Sequence, residues 1–385
     1  MAEPPPEPSP FDRARALRDL VAAEAREGER LGRLTDKVAA AMHAANLFSI
    51  LRPQAEGGLG GDCTDLFETV EEIAKADGAA GWCLSVCATV ATLVGKAATA
   101  EAKDEIFGAG PTALWTSLLP RATSTVADGG YRVSGAFTMG SGSSLSQWVM
   151  VAAPLPDRDG AQWFRAHLLP KGAVVIDEGS WDVMGLRATH SVDYRADDVF
   201  VPARRTFDYP FLQKPEAGSI SAQYGGHLNL VGLTAFASGV GQRAVAELAA
   251  AAPQTKRMVG ASSQAEDAAI QYGLGVLEGR LRAARSHFLE FVARQDQHLA
   301  AHGYIDTART IAFFQAAQTL ALAAREIAVF AFDHASVRAI FADHPLQRCL
   351  RDLFTGLKHA SFSPTHLTRA GRETFGLDAP RVRLG

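Results

Sequence analysis

Between Pro120 and Pro202 the chain changes its hydrophobic period, and this single interruption narrows the architectures open to it. The first half of the block reads GGYRVSGAFTMGSG, Gly129 to Gly142. The second reads WDVMGLRATHSVDYRADDVFVP, Trp181 to Pro202. Runs of β-branched and aromatic residues bounded by Gly, Asp and Pro signal strands. Tyr131 with Val133, Trp148 to Val151, Ala166 to Pro170 and Val199 to Pro202 fit that pattern, and Asp128-Gly129-Gly130 reads as a hairpin turn. Helical patterns flank the block on both sides, so the chain is expected to be α+β, with a β-barrel or sandwich set between two helical parts.

On the N-terminal side, Leu17, Leu20, Val21 and Leu31, Leu34, Val38, Met42 recur at helical spacing. Pro53 to Leu66, with four glycines, breaks the pattern, and Thr64 or Asp65 is placed to cap the helix that follows. On the C-terminal side, long patterns cover roughly Leu228 to Ala252, Ala265 to Gln295, Asp306 to Ala335 and Pro345 to His359. Their length and Ala, Leu, Arg and Glu content suit a four-helix bundle whose ends meet other subunits. The expected division is a disordered Pro- and Glu-rich tail at 1–10, helices over 11–110, the β-domain over 111–207 and the bundle over 208–385.

A length of 385 residues calls for more than one packed unit, and 47% hydrophobic with 21% charged residues is ordinary for a globular enzyme. A net charge of -4 with scattered Lys and Arg offers no basic field for nucleic acid. Cys63, Cys83, Cys87 and Cys349 are too few and too scattered for a disulfide framework. Cys83 and Cys87, four apart among apolar neighbours, read as buried thiols, with a metal or redox pair as the alternative. MAEPPPEPSP lacks the basic and apolar regions of a signal peptide, and Ala88 to Ala98 is too short to span a bilayer, so a cytoplasmic protein with no membrane partner is expected.

Three motif groups together resemble the acyl-CoA dehydrogenase superfamily over almost the whole chain. LFSILRPQAEGGLGG (Leu47 to Gly61) is similar to its Gly-rich loop, and VEEIAKADGAAGWCL (Val70 to Leu84) to its "aDgsaaW" helix. The two β-segments are similar to its flavin-contacting strands. The resemblance implies an N-terminal helical domain, a middle β-domain and a C-terminal four-helix bundle around a flavin. The dehydrogenases need a carboxylate base, often in an "EGT" motif. Here LFTGLKHASFSP follows Arg351-Asp352, and the nearest glutamates, Glu247 and Glu278, stand in unlike surroundings. Arg351-Asp352 followed by His359 resembles instead the "RD……H" pattern of the superfamily's two-component monooxygenases.

That branch implies reduced FMN, with FAD as the alternative, delivered by a separate flavin reductase. It implies O2 as co-substrate, a C4a-hydroperoxyflavin that hydroxylates an aromatic or electron-rich small molecule, and a homotetramer or dimer. An FAD-dependent acyl-CoA dehydrogenase is the alternative function, and a catalytically silent homologue a third. Ser141 matches the hydroxyl near flavin N5, with Gly142 and Ser143 beside it; a plain turn over Ser141 to Ser144 stays open. Thr116 and Ser117 match the flavin's pyrimidine edge, and Arg257 its phosphate. Trp181 and His190 are expected at the substrate pocket. His359, as an imidazole that ordinarily titrates near neutrality, is the candidate proton-handling group, with a capping or surface role as the other reading. The helix Cys83 to Ala97 lacks the His that many phenol hydroxylases carry there. No metal site is expected.

Overall fold

A computed structural model describes residues 7–108, 110, 112–117, 121–158, 161–210, 222–255, 262–302 and 305–377. The N-terminal part holds α1 (Pro10–Leu31), α2 (Asp36–Ala44), α3 (Cys63–Ala76), α4 (Gly78–Ala97) and α5 (Ala100–Phe107). Pro10, in the first turn of α1, is buried, and Ser9 caps the helix by accepting from Asp12 N, so ordered chain reaches into the segment expected as a tail. The cap of α3 is Asp62, not Thr64 or Asp65. Asp62 accepts from the backbone of Thr64 and Asp65, while the Asp65 side chain accepts from Asp62 N, a reciprocal capping box.

One residue, Asp77, separates α3 from α4, and its carboxylate accepts from Ala80 N at 3.1 Å to start the second helix. By length and composition α4 could cross a membrane, yet 89% of its apolar window is buried inside the molecule. It packs on α3, on the β-block and on the first long helix of the C-terminal part, which is why its sequence carries no polar stripe.

The β-block forms two four-stranded sheets. One has the order β1 (Ala113–Thr116), β4 (Ser146–Arg158), β5 (Ala161–Pro170), β8 (Thr206–Pro210). The other has the order β2 (Thr123–Ala127), β3 (Gly130–Gly140), β7 (Val192–Pro202), β6 (Val175–Asp177). All pairs are antiparallel except β1 with β4. Trp115, Val133, Phe137, Val149, Leu169, Tyr194 and Val201 fill the space between the sheets. Trp115 is fully buried and lies 4.3 Å from Tyr194 between ring centroids. Truncating such a residue to Ala typically costs about 3–5 kcal/mol.

The C-terminal part has three long helices, α6 (Ala222–Ala251), α7 (Ala268–His302) and α8 (Thr307–Asp333), followed by α9 (Pro345–Gly356) and α10 (Thr365–Thr374). Their apolar faces share one core with α1, α3 and α4. The buried carboxylate of Glu71 on α3 is met by Ser238 at 2.6 Å and Gln242 at 2.7 Å from α6, and by Arg285 at 2.7 Å from α7. A buried charge is tolerable when paired and hydrogen-bonded in this way, and here it ties three helices together.

Candidate active site

The Ser-Gly-Ser cluster sits where β3 ends against α4. Ser141 follows the last residue of β3, and Gly142 turns the chain with φ +79°. A Cβ on Gly142 would lie 2.5 Å from Cys87 Sγ, so both the conformation and the contact with α4 require glycine. Two side chains hold the turn from outside: Lys171 Nζ donates to Ser143 O at 2.7 Å, and His43 Nε2 lies 3.0 Å from Leu145 O.

Ser141 Oγ is the centre of a buried chain of hydroxyls. Trp82 Nε1 donates to it at 3.1 Å. Ser191 Oγ lies 2.7 Å away, Thr189 Oγ1 lies 2.6 Å beyond that, and Thr189 Oγ1 donates to Leu186 O at 2.8 Å. One arrangement of hydrogens satisfies every contact. Trp82 donates to Ser141, Ser141 to Ser191, Ser191 to Thr189, and Thr189 to the carbonyl of Leu186. Ser141 keeps a spare lone pair in this arrangement.

His359 packs against the same indole. Its ring meets Trp82 edge-on, with centroids 5.8 Å apart. It caps the 3-10 turn at Ala360–Phe362, Nδ1 accepting from Ser361 N at 3.2 Å, so the ring proton belongs on Nε2. Burial lowers its pKa from 6.5 to about 4. The expectation of an imidazole titrating near neutrality is therefore corrected: desolvation keeps His359 neutral, and the capping reading is realised.

Arg351 and Asp352 have a different task from His359. Asp352 Oδ1 accepts from Leu186 N at 2.6 Å, and Arg351 donates to Met184 O from the same end of α9. A Cβ on Gly185 would lie 2.2 Å from Arg351 O, so the loop passes α9 at backbone contact. The pair thus docks the loop carrying Thr189 and Ser191 onto the bundle. Asp352 is buried beside Asp77, and its pKa is raised to about 7, burial being the main cause and Asp77 the next.

The remaining expected site residues that the structure describes have protein partners of their own. Thr116 Oγ1 donates to Met150 O at 2.7 Å, and Ser117 Oγ to Thr138 O at 2.7 Å, so both hydroxyls are used by the β-block itself. Trp181 Nε1 donates to Leu186 O at 3.0 Å and closes its own loop. His190 has φ +48° and both ring nitrogens occupied, Nδ1 at 2.6 Å from Ser143 Oγ and Nε2 at 2.8 Å from Glu178. It braces the turn. Arg257 lies outside the described residues. Cys83 and Cys87 are free and buried, and burial pushes Cys87 up to about 12 and Cys83 well above its ordinary value, which suits packing thiols.

Trp82 is the residue that reading by motif left unassigned. It closes "DGAAGW", and only the fold reveals that it donates to Ser141 and packs against the ring of His359.

Residues 12–109 match the model of the acyl-CoA dehydrogenase N-terminal domain, and residues 231–364 that of the acyl-CoA dehydrogenase C-terminal domain. A pigment production hydroxylase of Rhodococcus erythropolis is 30% identical over 380 residues, covering 92% of this chain and 93% of that one. The chain belongs to the acyl-CoA dehydrogenase superfamily, in its flavin-dependent monooxygenase branch. The FADH(2)-dependent resorcinol hydroxylase oxygenase component of a Rhizobium strain is 33% identical over 199 residues, 51% of this chain and 48% of that one. The crystal structure of the HsaA monooxygenase from M. tuberculosis superposes with a TM-score of 0.83 at 25% identity, over 97% of this chain and 98% of that one. Ser141, Trp82 and His359 converge at the junction of the β-block, α4 and the bundle.

Proposed function

We propose that this chain is the oxygenase component of a two-component system. It takes reduced flavin from a separate reductase and uses O2 to hydroxylate an aromatic or otherwise electron-rich small molecule. The observation that carries the reading is the Trp82–Ser141–Ser191–Thr189 chain. Its donor set fits a reduced flavin: the spare lone pair of Ser141 is an acceptor, and N5 of a reduced isoalloxazine presents an N–H. Bound there, the flavin supplies the electrons that activate O2. The protein's part is to hold and shield. Trp82 and Ser191 fix the Ser141 hydroxyl, the buried face of α4 keeps water from it, and His359 offers a neutral ring that donates through Nε2 and takes up a proton only transiently. The name of the resorcinol hydroxylase supports FAD over FMN and supports the reductase partner. A homotetramer and a cytoplasmic location remain part of the proposal.

The thioester-oxidation reading has less to stand on. Glu247 pairs with Arg243 and Glu278 with Arg282, each on its own helix, while Glu71 and Glu72 are bound by cations on α3 and its neighbours. None of these carboxylates contacts Ser141, Trp82 or His359.

The test is product analysis under 18O2 with chemically reduced FAD and FMN across indoles, phenols and fused heteroaromatics. Incorporation of one labelled oxygen into an aromatic product supports the reading. Turnover of acyl thioesters with no labelled product would defeat it.

A further inference from the structure

We propose that Cys63, His227 and Asp296 form a site for one divalent transition-metal ion of the zinc class, acting as a structural clamp. Cys63 is the first residue of α3, His227 lies in the first turns of α6, and Asp296 lies near the end of α7. One donor atom from each lies within 4.8 Å of the other two. The flavin reading uses none of the three.

His227 carries the argument. It is 3% exposed, and neither ring nitrogen has a hydrogen-bond partner; the nearest charged atom is Asp296 Oδ1, 3.7 Å from Nε2. Leaving both nitrogens of a buried imidazole unsatisfied is unfavourable, and the ring is aimed at a carboxylate and a thiol. The ring of Phe313 packs 4.5 Å away between centroids and gives the site one apolar wall.

Asp296 is already oriented for the task. Its Oδ2 accepts from Cys63 N at 3.1 Å, which fixes the carboxylate and leaves Oδ1 toward the imidazole. Metal-binding carboxylates are commonly held by such a backbone N–H. Thiolate, neutral imidazole and carboxylate are the sulfur, nitrogen and oxygen donors that zinc uses, and a dication balances the two anions, so the loaded site is neutral. Donors about 2.0–2.3 Å from a tetrahedral ion stand about 3.3–3.8 Å apart. Closing the present spread asks about 1 Å of side-chain movement and leaves the fourth position to water. Loaded, the ion joins α3, α6 and α7 at one point.

The experiment uses untagged, chelator-treated protein titrated with Co(II) and then Zn(II). The expected result is one equivalent of Co(II) per chain with a thiolate-to-cobalt charge-transfer band, displaced by Zn(II), and a higher Tm with Zn(II). Cys63→Ser abolishes the band, Cys349→Ser retains it, and Asp296→Asn, which keeps an acceptor for Cys63 N, weakens uptake by at least about 10-fold. A wild-type protein that gives no thiolate band with Co(II), or a band that survives Cys63→Ser, overturns the site.

Discussion

The indole N–H of Trp82 points at Ser141 Oγ, 3.1 Å away, so a helix from the N-terminal part sets the orientation of a hydroxyl at the end of a β-strand. The same indole meets His359 edge-on from the C-terminal part. Trp82 is therefore a residue at which all three parts of the chain touch.

Removing the hydroxyl leaves the indole donor without its partner and breaks the chain toward Leu186. Ser141→Ala is expected to lower product formed per reduced flavin consumed by about 10²-fold while the fold persists. The check is coupling efficiency measured beside a circular dichroism spectrum. Full coupling in this variant removes Ser141 from the mechanism.

Trp82→Phe separates the hydrogen bond of the indole from its ring contact. The aromatic contact with His359 remains and the N–H is lost, which should cost about 1 kcal/mol of stability. Coupling should fall with it, nearer to Ser141→Ala than to wild type. Denaturant unfolding and product yield read the two effects separately.

His359 is neutral in the folded protein, with a pKa of about 4 against 6.5 in the unfolded chain. Its contribution to stability is complete above pH 6.5 and is lost as pH falls toward 4. His359→Gln should flatten that acid limb of the Tm profile. The pH–rate profile should show no His359 ionisation through neutrality, so an essential group titrating near 6.5 and abolished by His359→Gln would contradict the assignment.

Asp352 behaves in the opposite sense. Its folded pKa of about 7 lies above the unfolded 3.8, so the protonated form is favoured by folding. The stability it contributes is full at low pH and declines as pH rises through about 7. Asp352→Asn keeps an acceptor for Leu186 N without the charge. Thermal unfolding across pH should show the variant losing less stability than wild type between pH 4 and 7.

Gly142→Ala meets a left-handed backbone and the sulfur of Cys87 at once. A Tm loss equivalent to at least about 1 kcal/mol is expected, only part of it restored by adding Cys87→Ala, because the second change relieves the contact and not the φ angle.

Much of this was legible in the residues. Period changes located the β-block, because a short-range pattern dictates strands. What stayed hidden depends on tertiary packing. The spacing of Asp62 and Asp65 allowed more than one cap. His359 looks like a near-neutral titrator until desolvation is counted, and only the fold shows that the hydroxyls of Thr116 and Ser117 donate to β-block carbonyls. His190 reads as a pocket residue in one dimension, and in three it is clamped between Ser143 and Glu178. Trp82 is a motif letter whose partners Ser141, Phe236 and His359 lie 59 residues or more along the chain.

The account rests on a site that accepts reduced flavin and controls its reaction with O2. Stopped-flow mixing of O2 with reduced FAD or FMN, in the presence and absence of the protein, tests this most directly. The prediction is a long-lived absorbance distinct from oxidised flavin, decaying more slowly than free flavin reoxidises and shortened in Ser141→Ala. Reoxidation of both flavins at the rate seen without protein would contradict it.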